Sequence, residues 1–301
     1  MIQRLPSWAA SWFRFEPIRH QLWERILIRA SLALVIGWTL TGDSAFQTQA
    51  HPNGLARFMD LTFLSQDSVE VWLRPACKAS LVLWVFGVPA VLSLLLPLTA
   101  GIGFITLKNS QGAIGHTFQV VHLCQLAIWL ASAWSMIQHL RRRALPHHFS
   151  PAQLEIDWAR QALMASYVVS AITKLMESGG MWFRDSQYFA LHLIKNKDMK
   201  YWETLDESAR SMEWLPDFLM QHPLLPQVLF GIGLPLELFA FFGCWNRRLA
   251  LVFGVALYGF HLCVKQLTLL DFEYNMWLLL ILMIHPLWWI VTGIQRLSRR
   301  S

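Results

Sequence analysis

The sequence predicts an all-α fold: a polytopic transmembrane helical bundle of about eight spans, with both termini cytoplasmic. Three observations carry this expectation. Of the 301 residues, 55% are hydrophobic and only 15% charged, where an ordinary soluble domain carries about a quarter charged, and the mean hydropathy is +0.38. Apolar runs approaching the roughly 20 residues that cross a bilayer as a helix recur along the chain. The basic residues gather in alternate connecting segments, as cytoplasmic loops require. Disulfide-stapled secreted scaffolds, disordered chains and ordinary soluble enzymes are thereby excluded. A net charge of +6 could suit nucleic acid, but no basic run exceeds Arg141, Arg142 and Arg143. Without a nucleic-acid-binding motif beside it, no nucleic-acid partner is expected.

Taken in order, the spans fall at residues 26–40, 71–86, 88–107, 118–137, 158–176, 225–242, 249–264 and 274–290. The stretch 79–107 could be one very long helix, but Gly87 and Pro89 can break it. Dividing it there gives eight spans, and leaving it whole gives seven. Charge decides: with eight, one side holds residues 1–25, the Arg141 to Arg143 loop, Arg247, Arg248 and the tail, with 12 Lys and Arg. The short loops of the other side hold only Arg57, Lys108 and Lys265. Both termini are therefore placed in the cytoplasm, and the location is read as a bacterial inner membrane.

Residues 1–25 read as a cytoplasmic amphipathic segment, with Trp8, Trp12, Phe13, Phe15 and Trp23 among Arg4, Arg14 and Arg19. Such a segment can lie in the headgroup region. The first apolar run follows four arginines with no clear cleavage site, so it is expected to stay as an anchor. Residues 26–293 form the transmembrane domain, and 294–301 a cytoplasmic basic tail. The outer loop 177–224 is long enough for a helical cap over a cavity. Cys77, Cys124, Cys244 and Cys263 show no CxxC spacing and read as packed thiols.

Ionisable groups inside spans are costly and tend to face the bundle interior or a water-filled cavity. In the fifth span Tyr167, Ser170, Lys174 and Glu177 follow at steps of three, four and three, on one helical face. They form either a proton-handling or ligand-binding stripe headed by Lys174, or a snorkelling lysine paired with Glu177. A desolvated lysine can serve as a general base. In the seventh span Gly254, Tyr258, His261 and Lys265 again share a face. Asp271, Glu273 and Asn275 follow outside. This is either a second wall of the same outward-facing site or an interhelical hydrogen-bond cluster. His116, Gln119, His122 and Gln125 open the fourth span at steps of three, as cavity lining or as polar glue between helices. A metal site is not expected there, since His116 and His122 are not one turn apart and the span holds no carboxylate. Glu237 is read as the one acid within a span, seeking a basic partner on a neighbouring helix. Arg29, Arg74, Lys78 and Arg160 sit near span ends where they can snorkel.

The stretch Tyr167-Val168-Val169-Ser170-Ala171-Ile172-Thr173-Lys174-Leu175, followed by Trp182, resembles the Lys-Leu motif of the vitamin K-dependent gamma-carboxylase family. The wider group is the HTTM (horizontally transferred transmembrane) domain. Leu234 to Glu237, then Asn246-Arg247-Arg248, then Phe260-His261-Leu262 fit the same order. The resemblance covers roughly residues 25–286. It implies a reduced, vitamin K-like quinone as cofactor and Lys174 as the base that deprotonates it, with His261 matching the later-span histidine. Tyr167, Ser170, Tyr258, His116 and His122 become candidate cofactor-binding residues. Where the family has a further histidine before the fourth span, Ser110 falls here, and His116 matches only with a shift. The large luminal part that grips propeptide-bearing substrates has no counterpart in 294–301, so a separate soluble partner on the outer face is expected beside membrane lipids.

Two functions of different class follow. One is a quinone-dependent carboxylase-like enzyme or oxidoreductase, working in an outward-facing cavity. The other is a non-enzymatic membrane module that binds a lipid or quinone, or anchors a partner protein. For a transporter, no inverted repeat or paired half-helices speak.

Overall fold

A computed structural model describes residues 12–41, 52, 54–110, 116–143, 145, 150–210, 214–268 and 270–298. Among these the regular structure is helical throughout, with no strand. In chain order the helices are α1 (Leu22–Thr39), α2 (Asp67–Val85), α3 (Ala90–Ser93), α4 (Leu95–Asn109), α5 (His116–Leu140), α6 (Pro151–Glu177), α7 (Trp182–Asp185), α8 (Phe189–Thr204), α9 (Trp214–Gln221), α10 (Leu224–Gly231), α11 (Gly233–Leu238), α12 (Arg247–Thr268), α13 (Glu273–Leu279) and α14 (Pro286–Ser298). A π-helical turn, Leu280–Ile284, joins the last two.

Among the described residues, three helices are long and apolar enough to cross a membrane: Phe118–Leu140, Arg247–Leu267 and Glu273–Ser298, of 23, 21 and 26 residues. Their apolar side chains are only partly used for internal packing. On α12, Val252, Val255 and Leu262 stay exposed. The stretch 79–107 is not one helix. The α2 helix ends at Val85, Gly87 turns the chain at φ +101°, and α3 begins after Pro89. A side chain rarely tolerates that dihedral, and proline cannot continue the preceding hydrogen-bond ladder.

The chain divides into two compact units. One comprises Ile18–Leu163 and Leu280–Ser301. Its core is built from helical-period positions such as Ile28, Leu32 and Ile36 on α1, with Leu81, Trp84, Leu94 and Ile128. It also holds ion pairs that the sequence reading did not anticipate. Arg29 turns inward to Glu155 at 2.7 Å, and the Trp84 indole donates to the same carboxylate at 3.3 Å. Arg160, buried, pairs with Asp157, while Gln153 donates to Asp157 and to the Ile18 carbonyl. These two arginines therefore do not snorkel. Glu155 and Asp157, one turn before the span expected at 158–176, give them buried partners.

In the same unit the amide of His285 closes the π turn on the Leu280 carbonyl at 2.9 Å, with φ +46° just before Pro286. Its Nδ1 lies 3.6 Å from the fully buried Glu24.

The other unit comprises Met1–Pro17 and Met164–Leu279. Asn246 fastens its described N-terminal residues. The Oδ1 of Asn246 accepts the Leu249 amide as the cap of α12, and its Nδ2 donates to the carbonyls of Trp12 and Arg14 at 2.8 and 3.0 Å. The Glu16 amide adds a bond to the Trp245 carbonyl, and Phe13 meets Phe242 edge-on. The loop 177–224 is largely helical in its described residues. In it α8 and α9 bury Ala190, Leu193, Leu215 and Leu219 together, with Leu267 of α12 packed against them.

Candidate functional site

The site is built in the second unit from α6, α11 and α12. On α6 the three-four-three spacing carries through: Tyr167 is buried, Ser170 and Lys174 are half-buried, and Glu177 is exposed. Lys174 ignores Glu177 and reaches Glu237 on α11, with Nζ 2.5 Å from Oε2. Ser170 Oγ lies 3.5 Å from the same oxygen. The Glu237 side chain is only 5% exposed, and that of Lys174 26%. The ammonium also stands 5.5 Å over the Trp182 ring, at the start of α7.

The segment carrying Glu237 packs closely on α12. A Cβ at Gly233 would lie 2.5 Å from the Phe260 ring, so only glycine allows α11 this contact with α12. That glycine and Pro235 both precede the buried acid in the Gly233–Leu238 helix.

Two turns before Lys174 on the same stripe, the Tyr167 hydroxyl lies 2.7 Å from His261 Nε2. The imidazole is buried, stacks on Phe272 with centroids 4.9 Å apart, and leaves Nδ1 without a hydrogen-bond partner. The Lys174 ammonium lies within electrostatic reach of it. Tyr258 is half-buried one turn earlier on α12. Lys265 is spent on Asp271 at 2.9 Å, which takes both out of the expected second wall.

Lys174, Ser170, Tyr167 and His261 are thus brought together, with Glu237 as the acid that completes them. The sequence flagged Glu237 only as an acid in search of a base. Phe272, which covers the imidazole, carries no signal beyond its place after Asp271.

His122 lies in the first unit and is engaged at both ring nitrogens. Its Nδ1 is 2.8 Å from Gln125 Oε1 and its Nε2 3.2 Å from Thr39 Oγ1. Here the three-residue spacing serves as glue between helices. The side chain of His116 lies outside the described residues. Ser110, at the place of the family's further histidine, donates to the Thr106 carbonyl and lines a cavity of about 430 Å³ with Arg57, Asp60, Thr62 and Leu107. In that loop the Thr62 hydroxyl and amide both donate to Asp60 and hold its carboxyl below the usual carboxylate range.

Among the described residues, no three His, Cys, Asp or Glu side chains are grouped so as to hold a metal ion. Comparison with protein-family models, curated proteins and solved structures returns no match to this chain.

Proposed function

We propose that this chain is a membrane enzyme of carboxylase-like or oxidoreductase type acting on a reduced quinone. In this reading Lys174 is the base, in a cavity open to the outer side of a bacterial inner membrane. The observation that carries the reading is the meeting of Lys174, Glu237, Ser170, Tyr167 and His261, drawn from three helices, inside an apolar bundle. Polar groups are expensive there and are characteristically retained for function. The eight-span topology with cytoplasmic termini rests on the charge distribution of the loops, and is supported by helix at each expected span and by the break at Gly87.

In this reading the residues that carry the resemblance to the gamma-carboxylase and HTTM group take the following places. Trp182 sits under Lys174, Asn246 caps the helix of His261, and Glu237 pairs with the lysine. The donor set fits a reduced quinone. His261 offers a buried Nδ1 with no partner, Lys174 offers an amine, and Phe260 and Phe272 supply apolar faces beside the imidazole. When bound, such a group would supply an ionisable hydroxyl and two reducing electrons.

The chain's own residues divide the remaining work. Lys174 Nζ and Glu237 Oε2 lie 2.5 Å apart, in position to exchange a proton. Its transfer from Nζ to Oε2 leaves a neutral amine that can accept another proton, and no net charge is left in the bundle. In the tautomer in which the Tyr167 hydroxyl donates to Nε2, His261 carries its ring hydrogen on Nδ1 and can present it as a donor. Ser170 steadies the Glu237 carboxylate at the edge of hydrogen-bond range.

The test uses the full chain in lipid nanodiscs. An organic extract is examined by mass spectrometry for co-purified quinone, and proton release to the medium is followed after adding reduced menadione. Native protein should hold quinone and show release, and Lys174→Ala should abolish the release. Release unchanged in Lys174→Ala would overturn the reading. The completeness of the Lys174–Glu237 pairing favours a second reading, a non-enzymatic module that binds a lipid or quinone or anchors an outer partner. Quinone retained with no menadione-dependent chemistry in native protein would select it.

A further inference from the structure

We propose that α8, in the outer loop, is an interfacial helix whose outward face lies in the headgroup and upper acyl region of the same membrane. The loop is then a membrane-seated cap rather than a water-soluble one. The argument starts from the two faces of this helix. At 100° per residue, Ala190, Leu193 and Lys197 fall on one side, and all three are buried. The opposite side carries Leu191, Ile194, Met199 and Trp202, continued by Tyr188 before the helix and Leu205 after it, and every one of these is exposed. Trp202 and Leu205 expose 67% and 69% of their surface. A helix standing in water shows its polar residues on that side. Here the polar residues His192, Glu203 and Lys200 occupy the flank, while only Lys195 and Asp198 interrupt the apolar stripe.

Depth follows from packing. The buried face of α8 belongs to the cluster of Ala190, Leu193, Leu215 and Leu219, against which Leu267 packs. Leu267 is also the last residue of the membrane-crossing stretch Arg247–Leu267. The α8 helix therefore packs at the end of that apolar stretch, and α12 itself leaves Val255 and Leu262 exposed along its length. The chemistry suits that level. Tryptophan and tyrosine concentrate at membrane interfaces, and a lysine among apolar residues can lay its stem on lipid and meet phosphate with its ammonium. The exposed Trp214 and Phe218 of α9, in edge-on contact with each other, extend the same surface.

The test places nitroxide labels, one at a time, on the full chain in nanodiscs, in a Cys244→Ser, Cys263→Ser background. Leu191→Cys, Met199→Cys and Trp202→Cys report the stripe, and His192→Cys and Glu203→Cys the flank. All five positions are exposed, so the labels do not enter the core, and Leu205→Cys replaces any stripe variant that fails to purify as a monodisperse species. Collisions with oxygen, which partitions into lipid, are compared with collisions with a water-soluble nickel chelate. The oxygen-to-nickel ratio should be several-fold higher along the stripe than on the flank. Equal ratios would place α8 in water and overturn the proposal. Low accessibility to both reagents along the stripe would show it covered by protein, a second copy or a partner, and would overturn it equally.

Discussion

Gly101 on α4 makes room for the imidazole of His122 on α5, and replacing it should have opposite effects in two backgrounds. A Cβ at Gly101 would lie 2.1 Å from His122 Cε1, 2.6 Å from Nδ1 and 2.7 Å from Nε2. Ordinary carbon contacts need about 3.5 Å, so the ring would have to move by about 1.4 Å. It has nowhere to go, being 4% exposed and bonded at both nitrogens to Gln125 and Thr39. Overpacking costs about 1–3 kcal/mol, and losing two buried hydrogen bonds about 1 kcal/mol each. The better helix propensity of alanine returns about 1 kcal/mol. Gly101→Ala should therefore destabilise by about 2–4 kcal/mol. In a His122→Ala background the obstacle is gone, and the same change should stabilise by up to about 1 kcal/mol. The coupling is about 3–5 kcal/mol, where independent sites stay within about 0.5 kcal/mol. Unfolding of the four proteins in mixed micelles by added dodecyl sulfate, followed by circular dichroism, measures it. A penalty of the same size in both backgrounds would refute the packing argument, and with it the structural role given to His122.

Three further outcomes are expected. Lys174→Met and Glu237→Leu should each destabilise more than the double variant does, because removing one partner strands a charge whereas removing both leaves an apolar contact; the same micelle titration reads this, and an additive double variant would contradict the pairing. Asn246→Ala should lose the α12 cap, about 1 kcal/mol, and speed amide hydrogen exchange at Glu16. Asn246→Asp should keep the cap but lose the donors to Trp12 and Arg14, so exchange at Glu16 should rise there too with little loss of stability. For Asp60, a carboxyl held below its usual range favours the folded loop above the unfolded range and gives that contribution up as pH falls through the folded value. Thr62→Val should move its titration, followed by carboxyl-carbon NMR, upward toward the ordinary carboxylate range; an unmoved titration would remove the Thr62 hydroxyl as the cause.

Much of this was legible in the residues because helical periodicity is local. Apolar runs specify where helix will lie, Gly87 and Pro89 mark a break through backbone dihedrals alone, and a three-four-three spacing sets Tyr167, Ser170 and Lys174 on one face of one helix. Spacing along one helix says nothing about which other helix that face meets. The choice between Glu177, three residues from Lys174, and Glu237, 63 residues away, was settled by the packing that brings the Glu237 helix beside Lys174. For the same reason Arg29 and Arg160 look like snorkelling residues until packing supplies Glu155 and Asp157. A His261 held by Tyr167 and covered by Phe272 likewise exists only once α6, α12 and the segment after α12 are assembled. By itself, then, the sequence determined a helical, strongly apolar chain and the faces on which its polar residues lie. Tertiary structure decided their partners, because a buried charge takes whichever opposite charge the packing of distant helices brings within hydrogen-bond distance.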